Sequence, residues 1–133
     1  MEIAVDLKEG KKVSARIKEF EIETDQSTKS GGGGTAPAPF DLFLASIATC
    51  AGFYVLDFCK TRKIPVDDVR LVMRPRRDDK IRMIDKISIE VQLPADFPEK
   101  YKPAIVRAVD LCTVKKHIVQ APEFETYTTI AGR

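Results

Sequence analysis

Four side chains in this sequence can do chemistry beyond simple acid–base pairing: Cys50, Cys59, Cys112 and His117. A thiolate is a nucleophile and a metal ligand, and an imidazole is a base or a ligand near neutral pH. Their spacing narrows the choice. There is no Cys-x-x-Cys pair, and a single His excludes the usual structural zinc patterns. A metal site built from Cys50, Cys112 and His117 is conceivable from residue types but is the weaker reading. Cys59 follows Cys50 by nine residues, about two and a half helical turns, so it points nearly to the opposite side and reads as structural. His117 reads as a surface or capping histidine.

The element that must position Cys50 is the stretch Pro39–Lys63, with the length and composition of one long helix. Between Asp41 and Asp57 it has no charge, and Leu42, Phe43, Leu44, Ile47, Ala48, Ala51, Phe53, Tyr54, Val55 and Leu56 leave no polar face. A helix that is apolar all round is expected to be buried on all sides. Pro39 suits the first turn, Asp41 the positive end of the dipole, and Lys60, Arg62 and Lys63 the negative end. Pro65 stops the run. The uncharged stretch is too short for a membrane span. On this helix alone, Cys50 reads as a small packed hydrophobe; the rest of the chain changes that.

Glu2–Leu7, Lys12–Lys18 and Phe20–Thr24 each alternate and predict a three-stranded antiparallel meander with one apolar and one charged face. Asp25–Ala38 holds four consecutive glycines and Pro37, with Pro39 following, and predicts a loop, a close backbone approach or a mobile flap. It is not a phosphate cradle, because Thr35-Ala36-Pro37 stands where a P-loop needs Lys followed by Ser or Thr. Val69–Arg74, a charged turn over Pro75–Lys80, and a strand marked by Ile84, Ile87, Ile89, Val91 and Leu93 predict a hairpin whose arginines form a solvated face. Asp96 is a candidate cap for a second helix starting at Pro98 and running to Cys112. Thr113–Gln120 predicts a short helix, and Phe124–Ile130 a final strand.

The whole fits one α+β domain over residues 1–133. A net charge of +2 with interspersed acids and bases argues against a nucleic-acid partner. The N-terminus carries no secretory h-region, so a cytoplasmic location with reduced thiols is expected, without a membrane.

Gly-Thr-Ala-Pro-Ala-Pro before the helix, Pro-Phe-Asp-Leu-Phe-Leu-Ala-Ser-Ile-Ala-Thr-Cys within it, and Leu-Cys-Thr-Val after the second helix together resemble the OsmC/Ohr family of thiol peroxidases across nearly the whole chain. The resemblance implies an OsmC-like α+β fold built as an intertwined homodimer, with the long helices buried at its centre. It also implies that Cys50 is the peroxidatic cysteine, attacking an organic hydroperoxide, and Cys112 the resolving cysteine. The resulting disulfide is reduced by an external dithiol, with no cofactor and no metal. An apolar pocket would favour bulky organic peroxides. A buried thiol needs help to ionise, and a cation was the expected helper. The family's peroxidases place a glutamate after the helix-start proline to orient an arginine from the first hairpin. Here Phe40 follows Pro39, with Asp41 one place on, and the hairpin arginine is Arg16, on the polar face. Asp41 and Arg16 are therefore the implied partners, and Lys115, Lys116 or His117 could supply the charge instead. The pattern is closer to the OsmC-like branch of the family. The alternative function is a non-enzymatic dimer of the same fold that binds a small apolar or electrophilic ligand.

Overall fold

The computed structural model describes residues 1–132. The chain divides into two compact units, Met1–Ser46 and the remainder from Ile47.

In the first unit, strands β1 (Ile3–Leu7), β2 (Val13–Ile17) and β3 (Phe20–Thr24) form the expected antiparallel meander in the order β1-β2-β3. Ile3 pairs with Ile17, which pairs with Phe20, and Leu7 pairs with Val13. This register gathers Ile3, Val5, Leu7, Phe20 and Ile22 on one face. All five are exposed in the single chain, Leu7 at 84%. On the charged face, Ser14 is 1% exposed.

The glycine stretch after β3 is not a mobile flap but a tied loop. Asp25, also 1% exposed, accepts hydrogen bonds from the N–H of Gln26 (2.7 Å) and of Thr35 (3.2 Å), and from the Thr35 hydroxyl (2.7 Å). Gly32 N–H donates to Ser27 O (2.9 Å), and Gly34 N–H to Gln26 O (3.0 Å). A Cβ on Gly32 would lie 2.1 Å from the Gln26 carbonyl oxygen, so only glycine fits. The loop delivers the chain to helix α1 (Pro39–Thr61). There Ala38 is the cap, and its N–H donates to the Asp41 carboxylate at 2.9 Å, one half of a capping box.

Within the second unit, α1 buries Ile47, Ala51, Val55, Phe58 and Cys59. Most of these pack with Phe97, Ile105 and Val109 into one core. By length and composition α1 could also cross a bilayer; this inner stripe lies in the chain's own core. Burial on all sides is not what a single chain provides. Phe53 and Leu56 remain exposed on α1. Arg62 closes the helix, donating to Phe58 O (3.2 Å) with its guanidinium 3.7 Å above the Phe58 ring.

Strands β4 (Arg70–Asp78) and β5 (Met83–Gln92) pair antiparallel. The predicted turn at Pro75 is in fact strand, with Pro75 opposite Ile87. A two-stranded ribbon has free edges, where proline removes no needed hydrogen bond. The arginine face is paired: Arg74 with Glu90 (2.7 Å) and Arg76 with Asp85 through two bonds of 2.9 Å.

The second helix differs from expectation in two ways. A 3-10 turn, Glu99–Tyr101, precedes α2 (Lys102–Val109), and the turn has no side-chain cap, so Asp96 does not serve as one. The chain then breaks at Leu111 and Cys112 before α3 (Thr113–Val119). Cys112 therefore belongs to the break, not to the end of a helix. Phe124–Ile130 forms no strand: the segment has no ladder partner among the described residues, and Phe124, Tyr127 and Ile130 are exposed.

Candidate active site

Cys50 lies near the midpoint of α1 and is half-buried. Cys112 sits at the break between α2 and α3, and is 2% exposed. The break arises because the N–H of Leu111 and of Cys112 fold back on Ala108 O (3.1 Å) and Val109 O (3.2 Å), closing α2 with a tight turn. Cys112 then takes extended backbone angles (φ −50°, ψ 122°) and caps α3, its Sγ accepting the Lys115 N–H at 3.5 Å. A helix start leaves its first N–H groups without intrahelical partners. Those of Val114 and Thr113, together with the Cys112 thiol, act as donors that lower the Cys50 pKa.

The two thiols are thereby set apart in acidity. Burial disfavours the Cys50 thiolate, but the Val114 amide, the Cys112 thiol and the Thr113 amide together outweigh it and hold Cys50 below the ordinary thiol range. For Cys112, burial and the bond to Cys50 raise the pKa despite the Lys115 amide. Cys112 thus holds its proton more firmly than Cys50 does. Cys59 lies in the core, 0% exposed; burial pushes its pKa up against the pull of Arg62.

Backbone amides and the Cys112 thiol are the groups that lower the Cys50 pKa. Arg16 stands on β2 in the first unit, ion-paired with Asp6. Asp41 caps the start of α1. Lys115 pairs with Asp110 at 2.6 Å, and the His117 ring Nδ1 lies 2.7 Å from the Thr113 carbonyl oxygen. The structure thus brings Cys50 and Cys112 together and places Arg16 and Asp41 in other local contacts.

Two contributors were not singled out from sequence. Amide donors carry no side-chain signature, although a Cys-Thr-Val run opening a short helix hints at them. The other is Tyr54, four residues after Cys50 and so on the same helix face. Its hydroxyl lies 3.1 Å from the Thr113 hydroxyl.

Residues 31–126 match the family described as OsmC-like protein. No match was found among curated proteins. Among solved structures, a protein of Psychrobacter arcticus 273-4 is similar at 20% identity with a TM-score of 0.73, over 86% of this chain and 85% of that one. The OsmC like protein of Mycoplasma pneumoniae is similar at 15% identity and TM-score 0.69, over 90% and 87%. The organic hydroperoxide resistance protein OsmC of Legionella pneumophila is similar at 18% identity and TM-score 0.55, over 89% of each chain. At these identities the likeness shows the fold.

Proposed function

The chain belongs to the OsmC family, and from that membership and its cysteine pair we propose that it is a thiol-dependent peroxidase acting on organic hydroperoxides in defence against oxidative stress. The observation that carries this reading is the Cys50–Cys112 contact, in which one thiol is made acidic and the other is kept protonated beside it. A structural cysteine pair has no need of that division. The Legionella neighbour, named for organic hydroperoxide resistance, supports the substrate class.

The Cys50 thiolate attacks a peroxide oxygen. An S–O bond forms, the O–O bond breaks, and the alkoxide takes a proton and leaves as alcohol. Cys50 is oxidised to a sulfenic acid and the peroxide is reduced. Cys112 then attacks that sulfur: the S–S bond forms, the S–O bond breaks, and the hydroxyl leaves as water with the Cys112 proton. A dithiol reduces the disulfide, becomes a disulfide itself and restores both thiols. Such a cycle suits a reducing compartment, the cytoplasm. Phe53, three residues from Cys50 and exposed, offers an apolar neighbour for a bulky peroxide.

The exposed apolar sheet face, the outer side of α1 and the unpaired segment at Phe124–Ile130 support assembly as a homodimer, which would cover them. In this reading Asp41 sets the start of α1. Arg16 has its charge engaged by Asp6, and the activation of Cys50 is assigned to the start of α3.

The test is peroxide consumption by reduced protein with cumene hydroperoxide and excess dithiol. Wild type should turn over, Cys50→Ser should not, and Cys112→Ser should accumulate Cys50 sulfinic acid by mass spectrometry. Equal, slow loss in wild type and Cys50→Ser would end the peroxidase reading.

A further inference from the structure

Thr113 carries two of the contacts that hold the start of α3. Its backbone N–H is one of the donors to the Cys50 sulfur, and its hydroxyl meets Tyr54 at 3.1 Å. Its carbonyl oxygen lies 2.7 Å from the His117 ring nitrogen, a contact internal to α3. The Tyr54 contact is different in kind, because it ties α3 to α1. Tyr54 is one turn beyond Cys50 on that helix, so the hydroxyl pair and the sulfur–amide contacts lie side by side between the same two helices.

An amide stabilises a thiolate only while it points at the sulfur, and hydrogen bonds weaken steeply with misalignment. The start of α3 follows a chain break rather than continuing α2, so a contact to α1 adds to what sets its position. We propose that Tyr54 is a positioning residue of this site: its hydroxyl, bonded to Thr113, keeps the first turn of α3 in register with Cys50 and keeps Cys112 within reach of the oxidised sulfur. Its importance for turnover rests on the peroxidase reading above; its effect on Cys50 acidity does not.

Tyr54→Phe removes the hydroxyl and keeps the ring. The contact is partly exposed, so water can replace it in part, and the effect is set by alignment rather than by a buried unpaired group. The primary readout is iodoacetamide labelling of Cys50 across pH, quantified on its peptide by mass spectrometry in fully reduced protein. Tyr54→Phe should move the labelling midpoint upward and slow labelling at neutral pH about threefold. Thr113→Ala should do the same and Thr113→Ser should restore wild-type behaviour. The double variant Tyr54→Phe/Thr113→Ala should be no worse than either single, as for two halves of one contact. With cumene hydroperoxide, Tyr54→Phe should also raise the fraction of Cys50 trapped as sulfinic acid. Thermal melting is recorded for each variant, and Thr113→Ser provides the comparison if Tyr54→Phe loses stability.

An unchanged labelling midpoint in Tyr54→Phe, or additive shifts in the double variant, would overturn the proposal. Labelling requires no peroxide. A protein that fails to consume peroxide but shows the shifted midpoint would sink the peroxidase reading and leave the Tyr54 role standing.

Discussion

At the scale of the residue, the two most informative side chains are acidic for the same physical reason. The pKa values of Asp25 and of Cys50 are both lowered by hydrogen-bond donors. For Asp25 the Thr35 hydroxyl leads, followed by the Gln26 and Thr35 amides, and the carboxyl falls from an ordinary 3.8 to about 2. The lowered folded-state value means that folding favours the carboxylate. That contribution is complete above the unfolded pKa and is lost as pH falls through about 2. The urea midpoint should therefore drop as pH is lowered from roughly 5 towards 2, and Asp25→Asn should flatten that part of the profile. A profile identical in the two proteins would mean that the carboxylate does not anchor the glycine loop. Sequence identified Cys50 and Cys112 through a family pattern. It could not identify what lowers the Cys50 pKa, because a backbone N–H is present at every residue but proline and becomes a donor only where the fold leaves it free. Asp25 was hidden for a related reason: its partners lie up to ten residues on, in a loop whose composition suggests freedom.

Among the elements, α1 was the most legible. Its proline, its acidic start and its basic end are local signals, and they placed the helix within two residues. Asp41 belongs to this scale. As the residue that accepts the Ala38 N–H, it fastens the helix start. Asp41→Ala should cost about 0.5–1 kcal/mol in chemical denaturation, with Asp41→Asn closer to wild type. A Cys50 labelling midpoint that moves upward in Asp41→Asn at unchanged stability would instead give Asp41 a part in the chemistry. The less legible elements are those decided by pairing or by a break. Pro75 reads as a turn until a partner strand with a free edge accepts it. The second helix ends at Val109 and not at Cys112, whereas the separate short helix from Thr113 forms as its sequence predicts, and its first amides are the ones that act on Cys50. Phe124–Ile130 has strand composition but no ladder partner among the described residues.

For the whole molecule, the mismatch between composition and burial is the main result. Helix α1 has the composition of a fully enclosed element, yet Phe53 and Leu56 are uncovered, as are Leu7, Phe20 and Phe124 elsewhere. Exposed apolar surface on this scale supports the proposed homodimer. Light scattering should give twice the 14.9 kDa chain mass across the micromolar range. Replacing Phe20 with Lys on the open sheet face should shift the population towards monomer and lower the melting temperature. A monomeric wild type would leave these surfaces unexplained by self-association.

The third thiol lends itself to a different use. Cys59 is sealed in the core beside Val55, Ile105 and Val109, where no reagent reaches it while the second unit stays closed. Its labelling therefore times how often that core opens, as amide exchange does for a protected proton. The oxidation state of the Cys50–Cys112 pair, by joining α1 to the α3 junction, would set the rate of that clock.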